Sequence, residues 1–337
     1  MKAAVFAEDG SISIQRVDIP ELQPGWCQLA VTAVGICGTD LHIKTGILGS
    51  PAGIRPGHEI AAVIDSTGDN VELKTGTSVM VEPVLGCGTC EHCRSGNPNR
   101  CASKEFFGHT LPGGLAEFIQ VPESIIVLTG SDIPPNITAL IEPMGICVRG
   151  ARRANIQLGK RVAILGAGSI GLLSILSAYA AGAEEVFVSA RHKHQQEVAR
   201  HFGASAVFKD SESLLEELGD QYIDVVIETV GGIANTLSDA VLLARTGGTI
   251  LLLGAFKNNP SIPALRFMTN ELTLVASNCH GQEGVRSDLM LAADLVRKYA
   301  GQLEVLNTHR FKLDQVAEAF AVAEDKHSNS IKVQLSP

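Results

Sequence analysis

The sequence predicts an α/β chain of two domains, a doubly wound parallel sheet and a β-rich domain, and three observations predict it. Short β-like runs broken by Gly and Pro turns fill the chain up to about Pro122. From Arg161 onward, strands alternate with helices. At 337 residues the chain also exceeds the usual size of a single hydrophobic core.

The β-rich part comprises Lys2 to Phe6, Gln28 to Val34, Ile60 to Ile64, Ser78 to Val81 and Ala116 to Val121. Helix-favouring residues run from Asn136 to about Asn155. The alternation then reads Val162 to Leu165, Ile170 to Ala181, Glu185 to Ser189, His194 to Phe202, Val225 to Thr229, Leu237 to Leu243 and Thr249 to Leu253. That order implies parallel strands with crossover helices. The tail from Arg310 returns to a helix, Leu313 to Ala323, and a terminal strand, Ile331 to Leu335. Whether the tail rejoins the first domain is left open by the sequence.

With 45% hydrophobic and 19% charged residues the chain is too apolar for disorder and can build a sizeable core. Its formal net charge of -9, with basic residues scattered rather than clustered, lacks the footprint of a nucleic-acid binder. Met1 to Pro20 shows no basic stretch followed by an apolar one, so export is not expected and a cytoplasmic location is. Val162 to Ala183 carries no charged side chain for 22 residues, which by length alone allows a membrane span. Gly166, Ala167 and Gly168 interrupt it after Val-Ala-Ile-Leu, and a strand, a glycine turn and a buried helix explain the same run. No membrane partner is expected. Eight cysteines in a chain that is not exported point to thiolates and metal rather than disulfides.

Cys87, Cys90, Cys93 and Cys101 are spaced so that four thiolates can converge on one zinc, leaving no position for water or substrate. Such a site is structural. Disulfides and an iron–sulfur cluster are the rival readings of the same spacing. A second set is more open: Cys37-Gly-Thr39-Asp40-Leu-His42 and Gly57-His58-Glu59 supply a thiolate, an imidazole and a carboxylate at strand ends. A catalytic zinc needs three such ligands and a free fourth position. Glu142, in Leu-Ile-Glu-Pro, is a further candidate, as third ligand or as the carboxylate that holds a metal-associated water; its plainer reading is a helix-start glutamate near a favourable dipole. Thr39 and His42 could relay the substrate proton to solvent, and Asp40 is placed to orient His58.

Gly166-Ala-Gly168-Ser169-Ile170-Gly171 follows the strand Val162 to Leu165 and opens an apolar helix. Gly166 permits the tight turn, Gly168 lets backbone approach a pyrophosphate, and Gly171 allows close packing of helix on strand. This is the dinucleotide fingerprint of a Rossmann domain. At the end of the next strand, where a carboxylate would bind the adenosine ribose of NAD, the chain has Ser189, Ala190 and Arg191. A missing carboxylate and an arriving guanidinium suit a 2′-phosphate, so NADP(H) is favoured over NAD(H). Val230, just past the strand Val225 to Thr229, is counted with these cofactor-binding residues.

The order of these motifs resembles the zinc-containing medium-chain dehydrogenase/reductase superfamily over nearly the whole chain. Ala139-Leu-Ile-Glu142-Pro-Met and the following Arg152-Arg-Ala look most like its sorbitol, butanediol and threonine dehydrogenase branch. The resemblance implies a GroES-like catalytic domain from residues 1–145 and 305–337, with the lobe 87–101, and a Rossmann domain from 146–304. It implies catalytic zinc held by Cys37, His58 and Glu59 or Glu142, structural zinc on the four cysteines, and assembly as a homodimer or homotetramer. It also implies hydride transfer between NADP(H) and a secondary alcohol, diol or polyol-like substrate, or its ketone. Sorbitol dehydrogenases carry an Arg-Tyr pair after the sixth Rossmann strand, where this chain reads Ala276-Ser277-Asn278-Cys279-His280, which weakens the case for a sugar alcohol. A non-catalytic NADP(H)-binding member of the same fold is the alternative.

Overall fold

The computed structural model describes residues 1–325 and 327–337, and the chain forms two compact units, Met1–Glu142 with His280–Pro337, and Pro143–Cys279.

The first unit opens with an antiparallel pair, β1 (Lys2–Phe6) and β2 (Ile12–Arg16). The long strand β3 (Trp26–Gly35) leads into helix α1 (Gly38–Lys44), and β4 (Glu59–Thr67) and β5 (Ser78–Val81) follow. The cysteine lobe carries β6 (Val84–Leu85), α2 (Glu91–Arg94) and β7 (Glu105–Phe106). Then come β8 (Phe118–Pro122), β9 (Ile126–Leu128), α3 (Pro135–Thr138) and α4 (Ile141–Arg153), at whose start the chain passes into the second unit.

The second unit alternates strand and helix: β10 (Lys160–Leu165), α5 (Ser169–Ala181), β11 (Ala183–Ser189), α6 (Lys193–His201), β12 (Ala206–Phe208), α7 (Ser211–Leu218), β13 (Ile223–Glu228), α8 (Thr236–Leu243), β14 (Ala244–Leu252), α9 (Ala264–Thr269) and β15 (Thr273–Ala276). All six strands are parallel, in the order β12-β11-β10-β13-β14-β15. The strand order reverses between β10 and β13, and a doubly wound sheet takes its ligand at such a point. The apolar run from Val162 is thus divided between β10, a turn, α5 and the start of β11, and no described helix is long and apolar enough to cross a membrane.

The chain then returns to the first unit with β16 (Gln282–Glu283), β17 (Arg286–Ser287), α10 (Asp288–Leu303), β18 (His309–Lys312), α11 (Val316–Glu324) and β19 (Val333–Ser336). The return precedes residue 305, the boundary expected from sequence, because residues 280–307 are tied to 129–142. Arg297 donates to the Thr129 carbonyl at 2.6 Å and pairs with Asp132, while Asn136 donates to Glu304 and Asn307 to the Asn136 carbonyl. A helix after the sixth strand reads in sequence as one more crossover, so α10 gives no local sign of its other allegiance.

β3 organises the sheet of this unit. It pairs with β4 along its length, with β8 over Trp26–Ala30, and with β19 at Val34 and Gly35. The tail therefore does rejoin the first domain, as a strand beside β3. Phe6, Leu29, Ile60, Phe107, Ile119, Phe320 and Leu335 share one core, and Phe6 meets Phe320 edge-on at 5.4 Å.

Candidate active site

Antiparallel pairing of β3 and β4 sets Gly35 opposite Glu59, and on leaving β3 the chain turns through Cys37 into α1. Cys37, His58 and Glu59 thereby meet at one end of the strand pair, with ligand atoms all within 4.8 Å of one another. Asp40 fixes this junction. Its Oδ2 accepts the Cys37 N–H at 2.8 Å and its Oδ1 the Gly57 N–H at 3.2 Å, so one carboxylate ties both ligand-bearing segments. The same Oδ1 lies 3.5 Å from His58 Nδ1.

A fourth group arrives from the far end of the chain. Lys332, just before β19, donates from Nζ to Glu59 Oε1 at 2.6 Å and Oε2 at 2.7 Å, and to the Ile36 carbonyl at 3.3 Å. Glu142 stands outside the triad: its Oε1 is 3.2 Å from His280 Nε2, which also lies 3.0 Å from the Glu142 carbonyl oxygen. Of the two carboxylates open to the sequence as third ligand, Glu59 is the one grouped with Cys37 and His58.

Asp40, Glu59 and Glu142 are all buried, with Lys332 against Glu59 and His280 against Glu142. Burial opposes charge on His58, yet the Asp40 carboxylate and the Cys37 sulfur outweigh it and raise the ring well above its ordinary value. Lys332, likewise penalised by burial, is raised by Glu59 and Cys37. These are the shifts of a site short of positive charge. A thiolate, an imidazole and a carboxylate in reach of one point form a donor set that fits zinc. Thr39 borders the site, its Oγ1 3.7 Å from Cys37 Sγ, and half-buried His42 lies three residues further along the same face of α1.

The sulfurs of Cys87, Cys90, Cys93 and Cys101 form the second such group, again within 4.8 Å, and no disulfide joins the described cysteines. The Cys90 N–H points at Cys87 Sγ at 3.4 Å and the Cys93 N–H at Cys90 Sγ at 3.5 Å. Hydrogen bonding from Thr89 lowers the Cys87 thiol to about 5, while Cys93 is pushed up to about 12. Held as thiolates at this distance, the four sulfurs would repel one another without a cation between them, and four sulfur donors with no oxygen or nitrogen suit a closed structural zinc.

In the second unit, Gly166 turns the chain out of β10 at φ +100°, and a Cβ at Gly171 would sit 2.0 Å from the Gly166 carbonyl oxygen. Gly168, at the head of α5, has open space where a Cβ would stand, which is the room a pyrophosphate needs at a helix N-terminus. Beside it lies a cavity of about 470 Å³ lined by Gly166, Gly168, Ser189, Arg191, Lys209 and Val230 among others. Ser169, Ile170, Gly171 and Ala190 do not line it; Ala190 is buried, its N–H donating to the Phe208 carbonyl at 2.8 Å. Of the lining carboxylates, Asp210 caps α7 by accepting the Ser213 N–H, and Asp239 accepts the Ser211 hydroxyl at 2.6 Å.

Two regions of the chain match family descriptions: residues 23–131 an alcohol dehydrogenase GroES-like domain, and residues 169–296 a zinc-binding dehydrogenase. An L-arabinitol 4-dehydrogenase of Aureobasidium melanogenum is 31% identical over 98% of this chain and 93% of its own length. A sorbitol dehydrogenase of Bacillus subtilis is 30% identical, covering 100% of this chain and 97% of its own. Among solved structures, a putative zinc-binding dehydrogenase from Sinorhizobium meliloti bound to NADP superposes with a TM-score of 0.91 at 30% identity, covering 100% of this chain and 99% of that one. An oxidoreductase of the alcohol dehydrogenase type is thereby defined, and the chain belongs to the zinc-containing medium-chain dehydrogenase/reductase superfamily.

Sequence reasoning did not find Lys332, Lys209, or His280 as the partner of Glu142. Lys332 is a lone cation between Ile331 and Val333, just before β19, and His280 is one residue of an otherwise featureless loop. Lys209 had one usable signal, since it follows β12 directly and β12 is the sheet neighbour of β11, which delivers Arg191.

Proposed function

We propose that the chain is a zinc-dependent oxidoreductase transferring a hydride between a secondary alcohol, diol or polyol-like substrate, or its ketone, and NADP(H). The convergence of Cys37, His58 and Glu59 carries this reading. Those three residues hold a catalytic zinc, and Cys87, Cys90, Cys93 and Cys101 hold a structural one. When bound, the catalytic zinc supplies Lewis acidity toward a hydroxyl or carbonyl oxygen. Asp40 keeps the Cys37 and His58 segments in register, and Lys332 holds the Glu59 carboxylate. Thr39 Oγ1 accepts the substrate hydroxyl proton while passing its own toward His42, an imidazole being suited to exchange protons near neutrality. His280 holds Glu142 at the edge of this site.

NADP(H) is the proposed cofactor because Arg191 and Lys209 border the cavity at the ends of neighbouring strands, with Ala190 where an NAD-binding carboxylate would stand. The NADP-bound relative supports this choice, and the names of the polyol dehydrogenase relatives support a diol or polyol-like substrate. The test is a panel of secondary alcohols, diols and polyols assayed with each dinucleotide. At least one should be oxidised with a higher kcat/KM for NADP+ than for NAD+. A higher value for NAD+ overturns the cofactor assignment, and turnover undiminished by removal of all zinc overturns the metal.

A further inference from the structure

The first unit holds another cavity, of about 200 Å³, lined by Arg55 and by the apolar side chains of Ile19, Trp26, Phe107, Leu111 and Phe118 among others. None of Cys37, His58 and Glu59 lines it, and neither does any carboxylate. Trp26 stands at the end of β3 opposite Gly35, the end that meets Glu59. Gln120, which also borders the cavity, already donates to the Pro20 carbonyl and to Gln28.

Arg55 is out of keeping with its surroundings. Its Nε is buried with no hydrogen-bond partner among the described residues. Burial alone holds the guanidinium down to about 10, with no neighbouring anion drawing it back up, so the group stays charged. Other arginines of the fold are engaged: Arg245 meets Asp224 at 2.8 Å and Arg297 meets Asp132 at 2.9 Å. Arg55 is half-buried with no anion beside it, and an anion that enters the cavity would supply the partner it lacks. The main chain at Arg55 is firmly placed, since its carbonyl accepts the Gly113 N–H at 2.7 Å and that of Pro56 the Leu115 N–H at 3.0 Å.

We propose that this cavity binds a small organic monocarboxylate with an apolar body, its carboxylate paired with Arg55 and its body against Trp26, Phe107 and Phe118. Size sets the class. An apolar cavity of roughly 150 Å³ accommodates a benzene ring, so this one suits a single ring or a short branched chain with its carboxylate, and is too small for a nucleotide. Charge sets the head group. One planar guanidinium matches one carboxylate in a two-pronged pair. Met1, Gln23 and Gln120 also line the cavity, but the Met1 ammonium already donates to the Val17 carbonyl and Gln120 to Pro20 and Gln28, which favours a singly charged head group over a phosphate dianion.

Trp26 is the sole tryptophan of the chain, so its emission reports on this cavity directly. The full-length, zinc-loaded protein is titrated with benzoate, benzamide and inorganic phosphate as probes. Benzoate should give a saturable change in the millimolar range or tighter, with benzamide and phosphate at least about tenfold weaker, as loss of charge-assisted hydrogen bonds requires. Arg55→Met should weaken benzoate roughly 10- to 100-fold and leave benzamide unmoved on the same grounds. Should Arg55→Met fail to fold, Arg55→Lys takes its place: it keeps the charge, loses the two-pronged geometry, and should weaken benzoate by a smaller factor. No saturable response, equal binding of benzoate and benzamide, phosphate as tight as benzoate, or benzoate affinity untouched in the folded variant would each overturn the proposal.

Discussion

Cys37 and His58 are held by backbone contacts that do not depend on the metal, since Asp40 binds the N–H groups of Cys37 and Gly57. Replacing either side chain should therefore remove a ligand without dismantling the junction. Cys37→Ala or His58→Ala is expected to abolish turnover while zinc per chain falls from two to about one, the closed four-cysteine site keeping its own. Metal analysis beside an activity assay decides, and full activity in a zinc-depleted Cys37→Ala protein would refute the catalytic metal. The cofactor proposal rests on Arg191 in the same direct way. Arg191→Ala should lose one or two charge-assisted hydrogen bonds to the 2′-phosphate, each worth about 1.5 to 3 kcal/mol, or roughly 10- to 150-fold in NADP(H) affinity per bond. NAD(H), which has no phosphate there, should bind as before. An unchanged ratio of kcat/KM for the two dinucleotides would reduce Arg191 to a surface turn residue. Glu142 gives a graded expectation: Glu142→Gln should lower turnover by about 10- to 100-fold while zinc is retained, the size of loss usual for a group acting on a metal's surroundings. Unaltered kinetics would leave Glu142 only the capping of α4.

Among the elements, the parallel sheet is pinned at Asp224. From β13 its carboxylate lies 3.7 Å from Lys160 and Arg161 on β10 and 2.8 Å from Arg245 on β14, and it accepts the Arg161 N–H at 2.9 Å. Burial pushes this carboxyl up, but the Arg161 amide and Arg245 outweigh it, so its pKa is lowered in the folded state. A lowered folded value contributes stability above the unfolded carboxylate value of about 3.9, and that stability is lost as pH falls through the folded value. Asp224→Asn should cost about 1 to 3 kcal/mol at neutral pH. The gap between wild type and variant should begin to narrow below about pH 4 and close only once the pH falls under the lowered folded value, where both carry a neutral group; chemical denaturation at several pH values measures it, and a gap that does not narrow in acid would exclude the ion pairs as its source. Local elements of this kind were legible in the sequence. The glycine turn between β10 and α5, the four spaced cysteines and the Cys37 and His58 motifs each lie within a few consecutive residues, where spacing dictates geometry. Lys332, His280 and the return of α10 to the first unit were not legible, because each is defined by a partner more than a hundred residues away.

For the molecule as a whole, the late residues complete the early ones. β19 closes one edge of β3, and Lys332 beside it satisfies both oxygens of Glu59 across 273 positions of chain. Deleting residues 331–337 should leave the four-cysteine zinc in place but lose the triad's zinc and all turnover, and should uncover a strand edge prone to association. Metal content and light scattering of the truncated protein test this; two zincs per chain with normal activity would show that the tail is dispensable. A timing consequence follows for the growing polypeptide. The four cysteines lie within residues 87–101, so all the ligands of that proposed site are present once this short stretch leaves the ribosome. At about 5 to 20 residues per second, Glu59 waits roughly 15 to 55 s for Lys332 to be made. Through that interval the triad has a buried carboxylate without its cation and a sheet without its last strand. If both groups bind zinc as proposed, the four-cysteine site would be able to fill during synthesis and the triad only at its end.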